Sequence, residues 1–183
     1  MEVAHTRRVV NYRIFLSAHI LVSVAMGLFG ILFIREFGGS LYSFGYSVAV
    51  MMGAGALASL FAGRLSDRFG RKRLLVASAV AFALLVILYT LINSLVELFV
   101  LQSMYGIIGS IEATAGSAFL GDATEKASRG KDIGKLYATT GIASACALAA
   151  GGHIFSWFGF EMSFYGVAAF FALSATLLLF IKE

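Results

Sequence analysis

Glu112 stands inside an unbroken apolar stretch, in company with Gln102, Tyr105, Ser110 and Thr114. A charged side chain at the centre of a membrane helix costs about 2.5 to 3.5 kcal/mol unless it is paired, protonated or facing water, so its presence there calls for a use. Proton uptake and release is one use, contact with a polar solute another, and a structural pair with a neighbouring helix the plainest. His19 sits inside the first apolar stretch, between Ser17 and Ser23. At 1.5 Å of rise per residue it lies about 7 to 9 Å in from the end of that stretch, and Glu112 about 12 Å in from the matching end of its own. The two depths allow the side chains to meet. The other use of a lone helical histidine is packing, with its ring bonded to a backbone carbonyl or a serine.

The elements that carry these residues follow from composition. Of the 183 residues 60% are hydrophobic and 17 are Phe, and the mean hydropathy is +0.89, which leaves too little polar surface for a water-soluble domain. The chain reads as an all-α integral membrane protein forming a single bundle over residues 1–183. Six apolar stretches approach the ~20 residues that cross a bilayer: about 14–34, 44–62, 74–92, 95–120, 136–155 and 163–181. They are continuously apolar rather than alternating, so helices and not barrel strands are expected. Proline is absent and glycine occurs 20 times, a composition suited to unbroken helices that approach one another closely. The basic segment Met1–Arg13 precedes a run too long for a signal-peptide core and without an Ala-x-Ala-like cleavage site, so it is expected to lead into a retained span. The single cysteine, Cys146, makes no internal disulfide possible and suggests no metal cluster, and no cofactor or enzymatic nucleophile pattern is found.

A formal net charge of +4 raises nucleic acid as a partner, but the cations flank the spans, where membrane topology explains them better. All of the Lys and Arg residues except Arg35 fall before the first span, between the second and third, between the fourth and fifth, or after the sixth. Positive charge collects on the cytoplasmic side, so both termini are expected there, in a cell membrane. The expected outer connections, Glu36–Ser43, Asn93–Ser94 and Ser156–Met162, are short. Gly121–Lys135 reads as an amphipathic cytoplasmic connector.

Between the second and third spans runs Gly63-Arg64-Leu65-Ser66-Asp67-Arg68-Phe69-Gly70-Arg71-Lys72-Arg73, in which five of the eleven residues are basic and two glycines frame one carboxylate. A basic anchor accounts for the charge but not for the placed Gly63, Asp67 and Gly70. The pattern Gly-x-Leu-x-Asp-Arg-x-Gly-Arg-Lys resembles the signature between the second and third helices of the major facilitator superfamily of secondary transporters, through Gly63, Leu65, Asp67, Arg68, Gly70, Arg71 and Lys72. The resemblance implies that Asp67 caps a helix of an opposing half and that Arg71 pairs with Asp122 at the end of the fourth span, a latch broken and remade during transport. It also implies a central cavity lined by the first and fourth spans, with Ser17, His19, Ser23, Gln102, Tyr105 and Glu112 as the candidates for solute and proton contact. Many members carry an arginine where this chain has Gln102, an amide that supplies no fixed charge.

Small residues recur at Gly45, Ala49 and Gly53 in the second span and at Gly141, Ala145 and Ala149 in the fifth. Such ridges let helix backbones approach closely, either within the bundle or, as the family resemblance implies, at the seam with a second bundle. The glycine-rich end of the fifth span, Gly151-Gly152, is similar to an antiporter signature but lacks its proline, and no direction is read from it. Members of the family have two six-helix bundles, and this chain holds the N-terminal-type one. The expectation is a half-size transporter that moves a small solute by alternating access as a homodimer, with proton coupling. The alternatives are a fragment of a twelve-helix transporter or a non-transporting scaffold or regulatory subunit.

Overall fold

A computed structural model describes residues 2–37 and 41–182, with side chains for 6–30, 33 and 42–182. Five helices make up nearly all of it: α1 (Glu2–Phe37), α2 (Leu41–Phe69), α3 (Arg71–Leu88), α4 (Leu95–Ala123) and α5 (Arg129–Leu179), with the 3-10 turn Tyr89–Leu91 after α3. All five are long and apolar enough to cross a membrane. Residues 38–40 of the expected Glu36–Ser43 connection, and the Arg35 side chain, lie outside the described residues.

The helices overrun the apolar stretches because a formed helix gains a hydrogen bond with each added residue, and polar flanks join it at little cost. α1 therefore starts at Glu2. α2 continues through Gly63–Phe69, so the basic segment is not a loop: it is the last turns of α2, one residue, and the first turn of α3. That residue is Gly70, with φ 86° and ψ 142°, a backbone conformation that side chains disfavour. Its N–H still bonds the Ser66 carbonyl at 3.1 Å and its own carbonyl accepts from Leu74 N–H at 3.3 Å. Gly63, expected to frame the hinge, is helical instead, with open space around it.

Where two spans joined by Ser156–Met162 are expected, α5 consists of two helical arms that meet at a kink at Gly159, φ 76° and ψ −177°, inside that connection. Only glycine occupies that region readily. The Ser163 hydroxyl donates to the Gly159 carbonyl at 2.6 Å. The α3–α4 connection is the one expected at Asn93–Ser94. The Ser94 hydroxyl accepts from Glu97 N–H at 3.3 Å while the Glu97 carboxylate accepts from Asn93 N–H at 2.7 Å, a reciprocal cap of the α4 N-terminus. At its other end, Arg129 donates to the Gly121 carbonyl at 2.6 Å and to the Thr124 hydroxyl at 3.2 Å.

α1 packs mainly along α5, and α2 mainly along α4. Both crossings are glycine-closed. A β-carbon on Gly27 would stand 2.5 Å from the Ser144 carbonyl, and one on Gly106 would stand 2.0 Å from the Met51 carbonyl. The core forms two apolar layers, one around Phe29, Phe82, Tyr89, Phe164 and Phe171, the other around Phe15, Leu75, Phe119 and Leu178.

Candidate functional site: the His19–Glu112 pair

His19 on α1 and Glu112 on α4 meet at 2.9 Å between Nε2 and Oε1, each about one-fifth exposed, at 18% and 20%. Two residues besides Glu112 flank the ring. Phe15, one turn back on α1, packs against it at a tilt of 35° with centroids 3.9 Å apart, and its carbonyl lies 3.2 Å from Nδ1. On the facing helix, Gly116 leaves room, since a β-carbon there would be 3.6 Å from Nε2.

The hydrogen-bond pattern limits how the pair holds protons. A carbonyl only accepts, so the contact with Phe15 requires a proton on Nδ1. The atoms facing each other, Nε2 and Oε1, then share one further proton, carried either by the imidazole opposite a carboxylate or by the carboxyl opposite a neutral ring. Both arrangements are neutral overall.

A second contact continues the seam. Tyr105 precedes Glu112 by seven residues and Met26 follows His19 by seven, which is two turns on each helix and about the same face. The Tyr105 hydroxyl donates to the Met26 sulfur, while its ring stacks on Phe29 at 5.2 Å and meets Phe82 edge-on at 5.1 Å. Tyr105 is therefore wedged into the aromatic layer above the pair. Gln102 goes deeper still: it is 2% exposed, and its side-chain oxygen accepts from the Tyr89 hydroxyl at 3.2 Å. Ser23 is half-buried one turn from His19 on the same face, whereas Ser17 is exposed and two residues away, where helical side chains do not face each other.

At the end of the bundle that carries Gly70, Arg71 forms an ion pair with Asp122 and also donates to the Ala118 carbonyl at 3.4 Å. Arg68 lies over the Phe69 ring at 5.5 Å. Asp67 is exposed, and among the described residues it makes no ion pair. Lys72 is half-buried. The small residues Gly45, Ala49, Gly53, Gly141, Ala145 and Ala149 are all exposed, and a β-carbon on Gly45, Gly53 or Gly141 would meet nothing within 4 Å. They do not pack the bundle. The glycines that do so are Gly27, Gly55 and Gly106, which spacing alone does not separate from the others.

A family model described as Major Facilitator Superfamily matches residues 14–183. The uncharacterized MFS-type transporter YitZ of Bacillus subtilis (strain 168) is 30% identical over 151 residues, covering 82% of this chain and 92% of that protein. The Na(+), Li(+), K(+)/H(+) antiporter of Planococcus maritimus is 34% identical over 137 residues, 72% of this chain. Multidrug resistance protein 2 of Bacillus subtilis (strain 168) is 28% identical over 139 residues, 76% of this chain. The chain spans nearly the whole of YitZ but only about a third of the other two, at 32% and 34% of their lengths. On the match over residues 14–183, the chain belongs to the major facilitator superfamily.

Proposed function

We propose that this chain is the six-helix half of a secondary transporter, that it works with a second copy of itself, and that the His19–Glu112 pair carries the coupled proton. The pair is the observation that carries the reading: an intramembrane carboxylate held against a histidine whose other nitrogen is already committed. A membrane protein of this superfamily is a carrier of small solutes rather than an enzyme. In this reading the two arms of α5 on either side of Gly159 are separate crossings. At 1.5 Å per residue the arms before and after Gly159 in Arg129–Leu179 run about 45 Å and about 30 Å, each long enough to cross the ~30 Å hydrocarbon core. Six crossings put both termini on one side, the cytoplasmic one by the distribution of Lys and Arg.

Support for a second bundle comes from the exposed ridges of α2 and α5, from the free Asp67 carboxylate beside the hinge, and from a relative, YitZ, whose length this chain nearly matches. Alternating access needs two bundles that rock about a central site, and Asp67 would face the start of α5 in the other copy, an isologous contact. Closing and opening that seam would bring the pair into contact with one side and then the other, and the parting of His19 from Glu112 would release its proton to water. Relatives named for Na(+), Li(+), K(+)/H(+) antiport and for multidrug resistance make alkali cations and drugs the first solutes to try.

The test is the mass of the protein in lipid nanodiscs. A dimer that dissociates when Gly141 and Ala145 are both changed to Leu supports the reading. A monomer contradicts it, and favours a piece of a twelve-helix transporter, the size of most of the relatives above, or a non-transporting subunit that shows no flux.

A further inference from the structure

A cavity of about 420 Å³ opens at the Gly70 end of the bundle, between the start of α1, the α2–α3 hinge, the end of α4 and the residues after α5. Its walls are unbalanced in charge. Arg71 and Asp122 neutralise each other, and the rest of the lining carries Arg7, Arg8, Lys72 and Lys182 against the one further carboxylate of Asp67. One polar group there lacks a partner: Ser66, 3% exposed, lines the cavity, and its hydroxyl makes no hydrogen bond although it is fully buried. A buried hydroxyl left unmatched costs about 1 to 3 kcal/mol, so the position favours a ligand atom that accepts a proton. The frame is rigid on the remaining side, where the Asn11 side chain donates to the Lys182 carbonyl at 2.8 Å and accepts from the Lys182 N–H at 3.1 Å. The floor is apolar, Phe119 and Ile181.

We infer that this cavity binds a phosphate group, with Arg8, Lys72 and Lys182 supplying the charge and Ser66 donating to a phosphate oxygen. Cations above an apolar floor, at the level where α1 and α5 leave their apolar stretches, match the headgroup and first acyl carbons of an anionic phospholipid. Inorganic phosphate shares the recognised chemistry without the apolar part. A phosphate seated there also faces Arg71 and competes with Asp122 for it. The site does not depend on transport or on dimerisation.

The experiment uses the full chain in detergent, titrated with phosphatidylglycerol or phosphatidylcholine and read by native mass spectrometry. A parallel arm follows thermal unfolding with millimolar sodium phosphate against sodium chloride of equal ionic strength. One retained phosphatidylglycerol, with retention reduced about tenfold in an Arg8→Gln, Lys72→Gln double variant and severalfold in Ser66→Ala, supports the site with lipid as its source. Stabilisation by inorganic phosphate that the same variants abolish, without retained lipid, supports it with free phosphate as its source. Neither effect, or effects that the variants leave unchanged, overturns it. Arg8 is exposed and Lys72 only half-buried, so these substitutions leave the fold intact, and Ser66→Ala removes a single atom.

Discussion

Gly116 on α4 faces His19 directly: a β-carbon there would lie 3.6 Å from Nε2, 3.6 Å from Phe15 Cζ and 3.8 Å from Leu75 Cδ2. These are ordinary contact distances, with no space beyond them. Gly116→Ala is therefore expected to be tolerated, with a change in stability within about 1 kcal/mol as improved helix propensity offsets lost slack. Gly116→Leu is expected to drive the imidazole away from Glu112 and abolish proton movement while the protein remains folded. Vesicle flux together with a thermal unfolding curve checks both.

The glycine crossings and the glycine ridges separate by experiment. Gly106→Ala forces α2 and α4 apart against the Met51 carbonyl, and Gly27→Ala does the same for α1 and α5. Each is expected to destabilise the monomeric bundle by about 1 to 3 kcal/mol or more, as overpacking does. Gly45→Ala, Gly53→Ala and Gly141→Ala meet nothing and are expected to leave bundle stability unchanged or slightly raised. Unfolding in detergent, where the chain is isolated, distinguishes the two sets.

Gln102 and Tyr89 form a buried polar couple. Tyr89→Phe strands the Gln102 oxygen and is expected to cost about 1 to 3 kcal/mol. Adding Gln102→Leu to that variant removes the stranded group and is expected to recover part of the loss, so the double-mutant cycle returns a clear coupling energy. If Gln102 instead contacted solute, its replacement would change transport with little effect on stability.

The Arg71–Asp122 pair is half open to water, with side chains 34% and 64% exposed. Its coupling in a double-mutant cycle is expected to be at most about 1 kcal/mol and to shrink as salt is raised. Its consequence is expected in the rate of interconversion between the two facings rather than in stability. Unfolding cycles at low and high salt check the first statement, and flux of the Asp122→Asn variant checks the second.

Much of this was legible in residue types. A hinge between the second and third spans was legible from its two glycines, but its reduction to Gly70 alone was not, and the depths of His19 and Glu112 follow from counting along two apolar stretches. The extent of the helices was less visible, because polar flanks such as Glu2–Arg13 and Gly63–Phe69 carry no apolar periodicity yet extend a helix that is already formed. The break between the two arms of α5 falls at Gly159, inside the expected Ser156–Met162 connection, but its shortness was not visible because the residues around that glycine remain helical. Gln102 looked like a cavity residue because polarity in a span does not reveal which way it points. Its partner, Tyr89, sits at the end of α3, where hydrophobic patterning says nothing of a hydroxyl. Asn11 and its grip on Lys182 left no local signal at all, being a contact between the two ends of the chain.

The most direct measurement is proton movement in proteoliposomes loaded with a pH-sensitive dye, on addition of Na+, Li+, K+ or ethidium, for the native sequence and for Glu112→Gln. Gln keeps the shape and accepts a hydrogen bond but cannot carry the proton. The expected result is an internal pH change with at least one of these probes for the native protein and a fall to the level of empty vesicles for Glu112→Gln, with both proteins equally folded and equally dimeric. A Glu112→Gln variant that moves protons as fast as the native protein would contradict the role assigned to the His19–Glu112 pair.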